Sequence, residues 1–120
     1  MGRPSLLHRL TASPQRLDAA ELQDEVIERR CAPLHGVRSG EAVKIVGRLR
    51  SVIYTPSETV PTLTAELFDG SDVVELVWLG RRRITGVEPG RRVLARGRIG
   101  EHNGRLAMYN PYYELLAPPA

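Results

Sequence analysis

The sequence predicts an all-β domain, a small closed barrel of five strands, with a short N-terminal helix ahead of it. Three observations carry this reading. Hydrophobic spacing changes near residue 36 from a helical stripe to alternation in twos. Five alternating segments follow, each bounded by turn signals. The long first and fourth segments each hold a central glycine, which lets a sheet coil tightly enough to close on itself.

Taken in order, SPQRLDAAELQDEVIERR (13–30) is the helix. Ser13 suits the cap and Pro14 the first helical position, while Asp18 with Glu21 offers a capping box for a later start. Ala19, Leu22 and Val26 make one apolar stripe, and CAPLHG (31–36) ends the helix with Pro33 and Gly36 as breakers. In VKIVGRLRSVIY (43–54), Val43, Ile45, Gly47 and Leu49 point inward, and Lys44, Arg48, Arg50 and Tyr54 outward. Gly47 marks a bulge or a sharp bend. A loop, TPSETVP (55–61), leads to TLTAELF (62–68), with Leu63, Ala65 and Leu67 inward. DGSD (69–72) is a hairpin turn before VVELVWL (73–79), whose Val74, Leu76 and Trp78 face the core. GRRRITGVEPG (80–90) connects to RRVLARGRIG (91–100), with Val93, Ala95, Gly97 and Ile99 inward and Arg96 and Arg98 outward. EHNG (101–104) is a second hairpin turn, and RLAMY (105–109) is a fifth strand broken by Asn110 and Pro111. Five strands are too few for an ordinary sandwich, so the economical arrangement is the five-stranded OB-fold barrel. The link between the third and fourth strands leaves little room for the helix many such barrels carry there. The chain divides into a helical extension (1–36), the barrel (37–117) and a tail (118–120).

Composition narrows the functional classes. The single cysteine, Cys31, makes no intrachain disulfide and no zinc site, which suits a reducing compartment. No apolar run approaches the roughly 20 residues of a membrane span, and the expectation is a cytoplasmic protein. His8, His35 and His102 are scattered, and no nucleophile elbow, zinc spacing or dinucleotide loop occurs. Asp69, Gly70 and Asp72 fit turn chemistry, not a metal site. The chain is therefore expected to be no enzyme and to use no cofactor. Residues 1–36 balance five arginines against five acids, whereas residues 37–120 carry twelve basic groups and nine acids, which places the net charge of +3 on the barrel. Sixteen of the seventeen basic residues are arginine, the side chain that grips phosphate with a planar fork.

DGSDVVELVWLG (69–80), GVEPGRRVLARGRI (86–99) and NGRLAMYNPYYELL (103–116) follow one another in an order that resembles the OB-fold wedge domain of the DNA helicase RecG. The order is similar, more closely still, to that of small stand-alone OB-fold nucleic-acid-binding proteins of high-GC bacteria. The resemblance spans residues 37–116. It departs where Asn110 replaces a histidine, Tyr112 an acidic residue and Leu79 a second aromatic. No G-x-x-x-x-G-K-[ST] phosphate loop of a helicase motor is present.

The resulting expectation is a module for single-stranded or branched DNA, with RNA as a further substrate. Its candidate contacts begin with the outward basic residues Lys44, Arg48, Arg50, Arg96 and Arg98, taken to share one face. The loop triplet Arg81, Arg82 and Arg83, and Arg105 on the fifth strand, add further phosphate contacts. Tyr54, Phe68, Tyr109 and Tyr112 are the rings available for stacking on bases, whereas Tyr113 closes the barrel end and Trp78 is core. The alternative is a protein-interaction module that docks a partner through its helix and barrel loops. A barrel for a small ligand or oligosaccharide is a third reading.

Overall fold

The computed structural model describes residues 13–118. Helix α1 (Pro14–Glu28) starts where Ser13 caps it, the hydroxyl accepting the Arg16 N–H at 3.3 Å, with Pro14 at the first position. The capping box at Asp18 is not used, because that carboxylate turns to Arg48 instead. The helix stops before CAPLHG. Arg30 takes a left-handed conformation (φ 56°), its N–H donates to the Ile27 carbonyl and that of Cys31 to the Val26 carbonyl. This is a Schellman closure with arginine where glycine is usual. A single 3₁₀ turn, Leu34–Gly36, follows.

Six strands come next: β1 (Ala42–Thr55), β2 (Thr62–Phe68), β3 (Val73–Leu79), β4 (Arg92–His102), β5 (Arg105–Tyr109) and β6 (Tyr112–Leu115). The sheet runs β1-β2-β3-β5-β4, and a β4 to β1 pairing closes the ring. β3 and β5 are parallel; the other neighbours are antiparallel. This is the OB-fold barrel, with β6 as a short addition along the first half of β4. β5 and β6 are parted at Asn110 (φ 45°), whose N–H donates to the Val77 carbonyl and whose Oδ1 accepts the Leu79 N–H at 3.0 Å. The second hairpin turn is tighter than EHNG suggests. Glu101 and His102 belong to β4, and Asn103 and Gly104, both at positive φ, make a two-residue turn.

Inside the ring, Ile45, Leu49, Leu67, Leu76, Ile99 and Met108 are fully buried. Trp78 joins them, with Tyr113 packed edge-on at 5.6 Å between ring centroids. A Cβ on Gly47 would collide with the Phe68 carbonyl oxygen, and one on Gly97 would lie 2.9 Å from the Met108 side chain. Both glycines thus serve close approach within the barrel wall. The bulge falls three residues after Gly47: pairing with β2 shifts between Leu49 and Ser51, leaving Arg50 unpaired. An inserted residue reverses the alternation. Val52 and Tyr54 therefore turn toward the core and Ile53 turns out. This corrects the outward placement of Tyr54.

α1 lies against the outer face of the barrel. Val26 packs with Val46, Leu94 and Leu116 in a second apolar cluster. Val46 and Leu94 hold outward positions of β1 and β4, so without the helix they would face water. Burying each such side chain contributes about 1.5–3 kcal/mol. At the other edge of α1, Gln23 Nε2 donates to the Gly70 carbonyl at 3.1 Å. Asp69 is buried and accepts the N–H groups of Leu34, Ser71 and Asp72 and the Ser71 hydroxyl, joining the β2–β3 turn to the segment after α1.

Candidate nucleic-acid interface

The basic residues separate into four groups, not one face. The first lies on β2, β3 and β5. Glu66 and Glu75 stand directly opposite each other, an arrangement that costs stability unless cations intervene. Arg105 supplies them, with Nη2 3.1 Å from Glu66 and Nη1 4.0 Å from Glu75. Arg50 Nε adds a contact of 3.7 Å to Glu66, and His102 Nδ1 one of 3.3 Å to Glu75. The Arg50 guanidinium also sits 4.8 Å over the Phe68 ring. Tyr109 is 40% exposed, and its hydroxyl donates to the Glu101 carbonyl at 2.9 Å. Charge on this face is largely balanced within the protein.

The second group meets α1. Arg48 and Arg92 are opposite one another on β1 and β4. Each is answered by a helix acid: Arg48 Nη1 lies 2.6 Å from Asp18, and Arg92 Nη1 lies 2.9 Å from Glu25. Arg29 adds a third contact at 3.2 Å, again to Glu25.

The third group occupies the β1–β4–β6 flank. Lys44, Arg96 and Tyr112 sit abreast on three neighbouring strands, and Arg98 lies two residues further along β4, opposite Ala42. The Arg96 guanidinium is 4.2 Å over the Tyr112 ring. Tyr112 is 50% exposed and its hydroxyl donates to Glu114 at 2.8 Å. Arg98 donates to the Gly40 carbonyl. Among the described residues, neither Lys44, Arg96 nor Arg98 forms an ion pair.

The fourth group is the loop after β3. Arg81, Arg82 and Arg83 are exposed and likewise unpaired among the described residues, and Arg82 lies 5.5 Å over the Tyr54 ring. Tyr54 is thus half-buried against the core, with a cation over one face of its ring.

Arg48, Arg96 and Arg98 therefore keep the outward phase of β1 and β4, but α1 divides that surface, and Arg50 leaves it. The bulge swings Arg50 toward β2, α1 claims Arg48, and Val46 with Leu94 separates that pair from Arg96. The acids Asp18 and Glu25, which neutralise two of the arginines, carry no strand-period signal. The clue to them is Val46 and Leu94, apolar residues at outward positions in otherwise basic strands. Cys31 is half-buried, and burial pushes its thiol above the usual range, keeping it protonated near neutral pH. His8 lies outside the described residues. Among those residues, no helix is long and apolar enough to cross a membrane.

A closed OB barrel with basic flanks is the class these features define. No family model matches the sequence, and no curated protein matches it. Among solved structures, the chain is similar to RecG bound to a three-way DNA junction, at 25% identity and a TM-score of 0.53 over 65% of this chain. The match takes in 11% of the RecG chain. The chain is also similar to the OB domain of MM0293 from Methanosarcina mazei, at 17% identity and a TM-score of 0.57 over 74% of this chain and 84% of that one.

Proposed function

We propose that this chain is a non-catalytic nucleic-acid-binding OB module that takes single-stranded or branched DNA. The observation that supports this most directly is that the cations of the β1–β4–β6 flank and of the loop after β3, Lys44, Arg81, Arg82, Arg83, Arg96 and Arg98, have no ion-pair partner among the described residues. Two of them stand over rings, Arg82 over Tyr54 and Arg96 over Tyr112. Cations of this kind neutralise phosphates, and rings stack on bases with little preference for sequence. The likeness to a RecG solved on a three-way junction adds weight. RNA offers the same two chemistries.

Fluorescence anisotropy of a labelled single strand, a matched duplex and a fork, titrated at low and moderate salt, tests the proposal. Binding that weakens as salt rises is the expected result. No binding to any of the three at low salt contradicts it.

One observation favours a protein partner in addition. An apolar groove of about 480 Å³ opens beside the C-terminal end of α1, lined by Val26, Ile27, Cys31 and Pro33, with Arg30 and His35 among its polar residues. Ile27 is exposed there. Under this second reading, Ile27→Glu abolishes partner capture and leaves oligonucleotide binding intact.

A further inference from the structure

Two like-charged pairs cross the same two strands, and they are treated differently. Arg48 faces Arg92, and Lys44 faces Arg96 four residues away along each strand. Like charges directly opposite each other are destabilising on a sheet. At the first pair α1 supplies a carboxylate to each arginine. At the second pair no described carboxylate is within ion-pair distance, and Arg98 adds another cation beside it. Glu114, on β6, is engaged by the Tyr112 hydroxyl. The protein thus answers one pair and leaves the other open to an external anion. The anion arrives beside a half-exposed ring, since Tyr112 is abreast of Arg96 and Lys44.

We infer that the β1–β4–β6 flank is the strand-binding surface, and that its substrate class is single-stranded nucleic acid, with phosphates on Lys44, Arg96 and Arg98 and a base stacked on Tyr112. The inference rests on the nucleic-acid reading above and deepens it. Adjacent strands lie about 4.8 Å apart, so the row Lys44, Arg96, Tyr112 spans about 10 Å. That is the width of a single sugar-phosphate strand with its base laid to one side. Duplex bases are stacked on one another and offer only groove edges, so an exposed ring has no base face to meet there. The β2–β3–β5 face is the poorer candidate, because its arginines are bound to Glu66 and Glu75.

The test is anisotropy with labelled oligothymidylate and oligouridylate of about 15 nucleotides, near the upper site size of one OB fold, with a duplex of the same length. Tyr112→Ala weakens single-strand binding by about 5- to 150-fold, the range of one lost stacking contact, while Tyr112→Phe retains it. Arg96→Ala with Lys44→Ala lowers affinity and flattens the salt slope by about 0.7 per lost phosphate contact on a single strand. Arg50→Ala with Arg105→Ala, on the opposite face, changes affinity less than twofold. All variants alter side chains at the surface, and circular dichroism confirms that they fold. Binding of either oligomer through the flank supports the inference and names the sugar preferred. Loss of binding in the Arg50 and Arg105 variant with none in the flank variants overturns the inference and keeps the broader reading. No binding by the unaltered protein to any oligomer overturns both.

Discussion

Asp69 is the most heavily used polar residue of the fold. Its two oxygens accept four hydrogen bonds, one of them from Leu34, thirty-five residues away in sequence. Replacing it by alanine strips the acceptors from buried amides, each an expensive loss. Asp69→Ala should lower stability by about 2–4 kcal/mol, read as a shift in the urea midpoint. Arg30 works in the other direction. It holds a left-handed conformation that glycine adopts without steric cost. Arg30→Gly should therefore raise stability by about 1 kcal/mol, measured by the same denaturation; an unchanged or lower midpoint contradicts this. The DGSD turn was legible from the sequence at this scale, because an aspartate–glycine turn has a local chemistry. The long-range bond to Leu34 was not, because nothing local marks it.

Among the elements, the strands of the barrel were the readable part. Alternation and turn residues place β2, β3 and β5, and the inward phases of β3 and β4 hold. Alternation is blind to two things. One is the inserted residue at Arg50, which reverses the phase for Tyr54. The other is what covers an outward position, so the seating of α1 over Val46 and Leu94 could be inferred only from their apolar character. The same blindness hid the partition of the candidate site, since whether an arginine is free or paired depends on acids far away in sequence. The α1 seat makes a prediction of its own. The Arg92 and Glu25 side chains are 19% and 11% exposed, which places their contact between the surface and buried regimes. Glu25→Ala should cost about 2 kcal/mol by leaving Arg92 half-buried and without its carboxylate. A double-mutant cycle with Arg92→Ala should recover about 1 kcal/mol as coupling; coupling near zero would mean that the apolar cluster alone seats the helix.

For the whole molecule, the distribution of charge matters more than its sum. The net charge of +3 is small. The acids of α1 neutralise one end of the β1–β4 outer surface, and Glu66 and Glu75 neutralise the β2–β3–β5 face. The β1–β4–β6 flank and the Arg81–Arg83 loop keep cations without ion-pair partners among the described residues, and under the proposed function an anionic polymer balances that charge. Such a partner displaces bound counterions, and its affinity depends on salt in a way that apolar docking does not.

The most direct test is therefore the salt dependence of single-strand affinity, measured by anisotropy between about 50 and 200 mM salt. With three or four phosphates engaged, log affinity against log salt should fall with a slope of about −2 to −3, a loss of about fifteen- to sixtyfold over that range. An affinity that does not change with salt, or no binding at the lowest salt, would contradict the account.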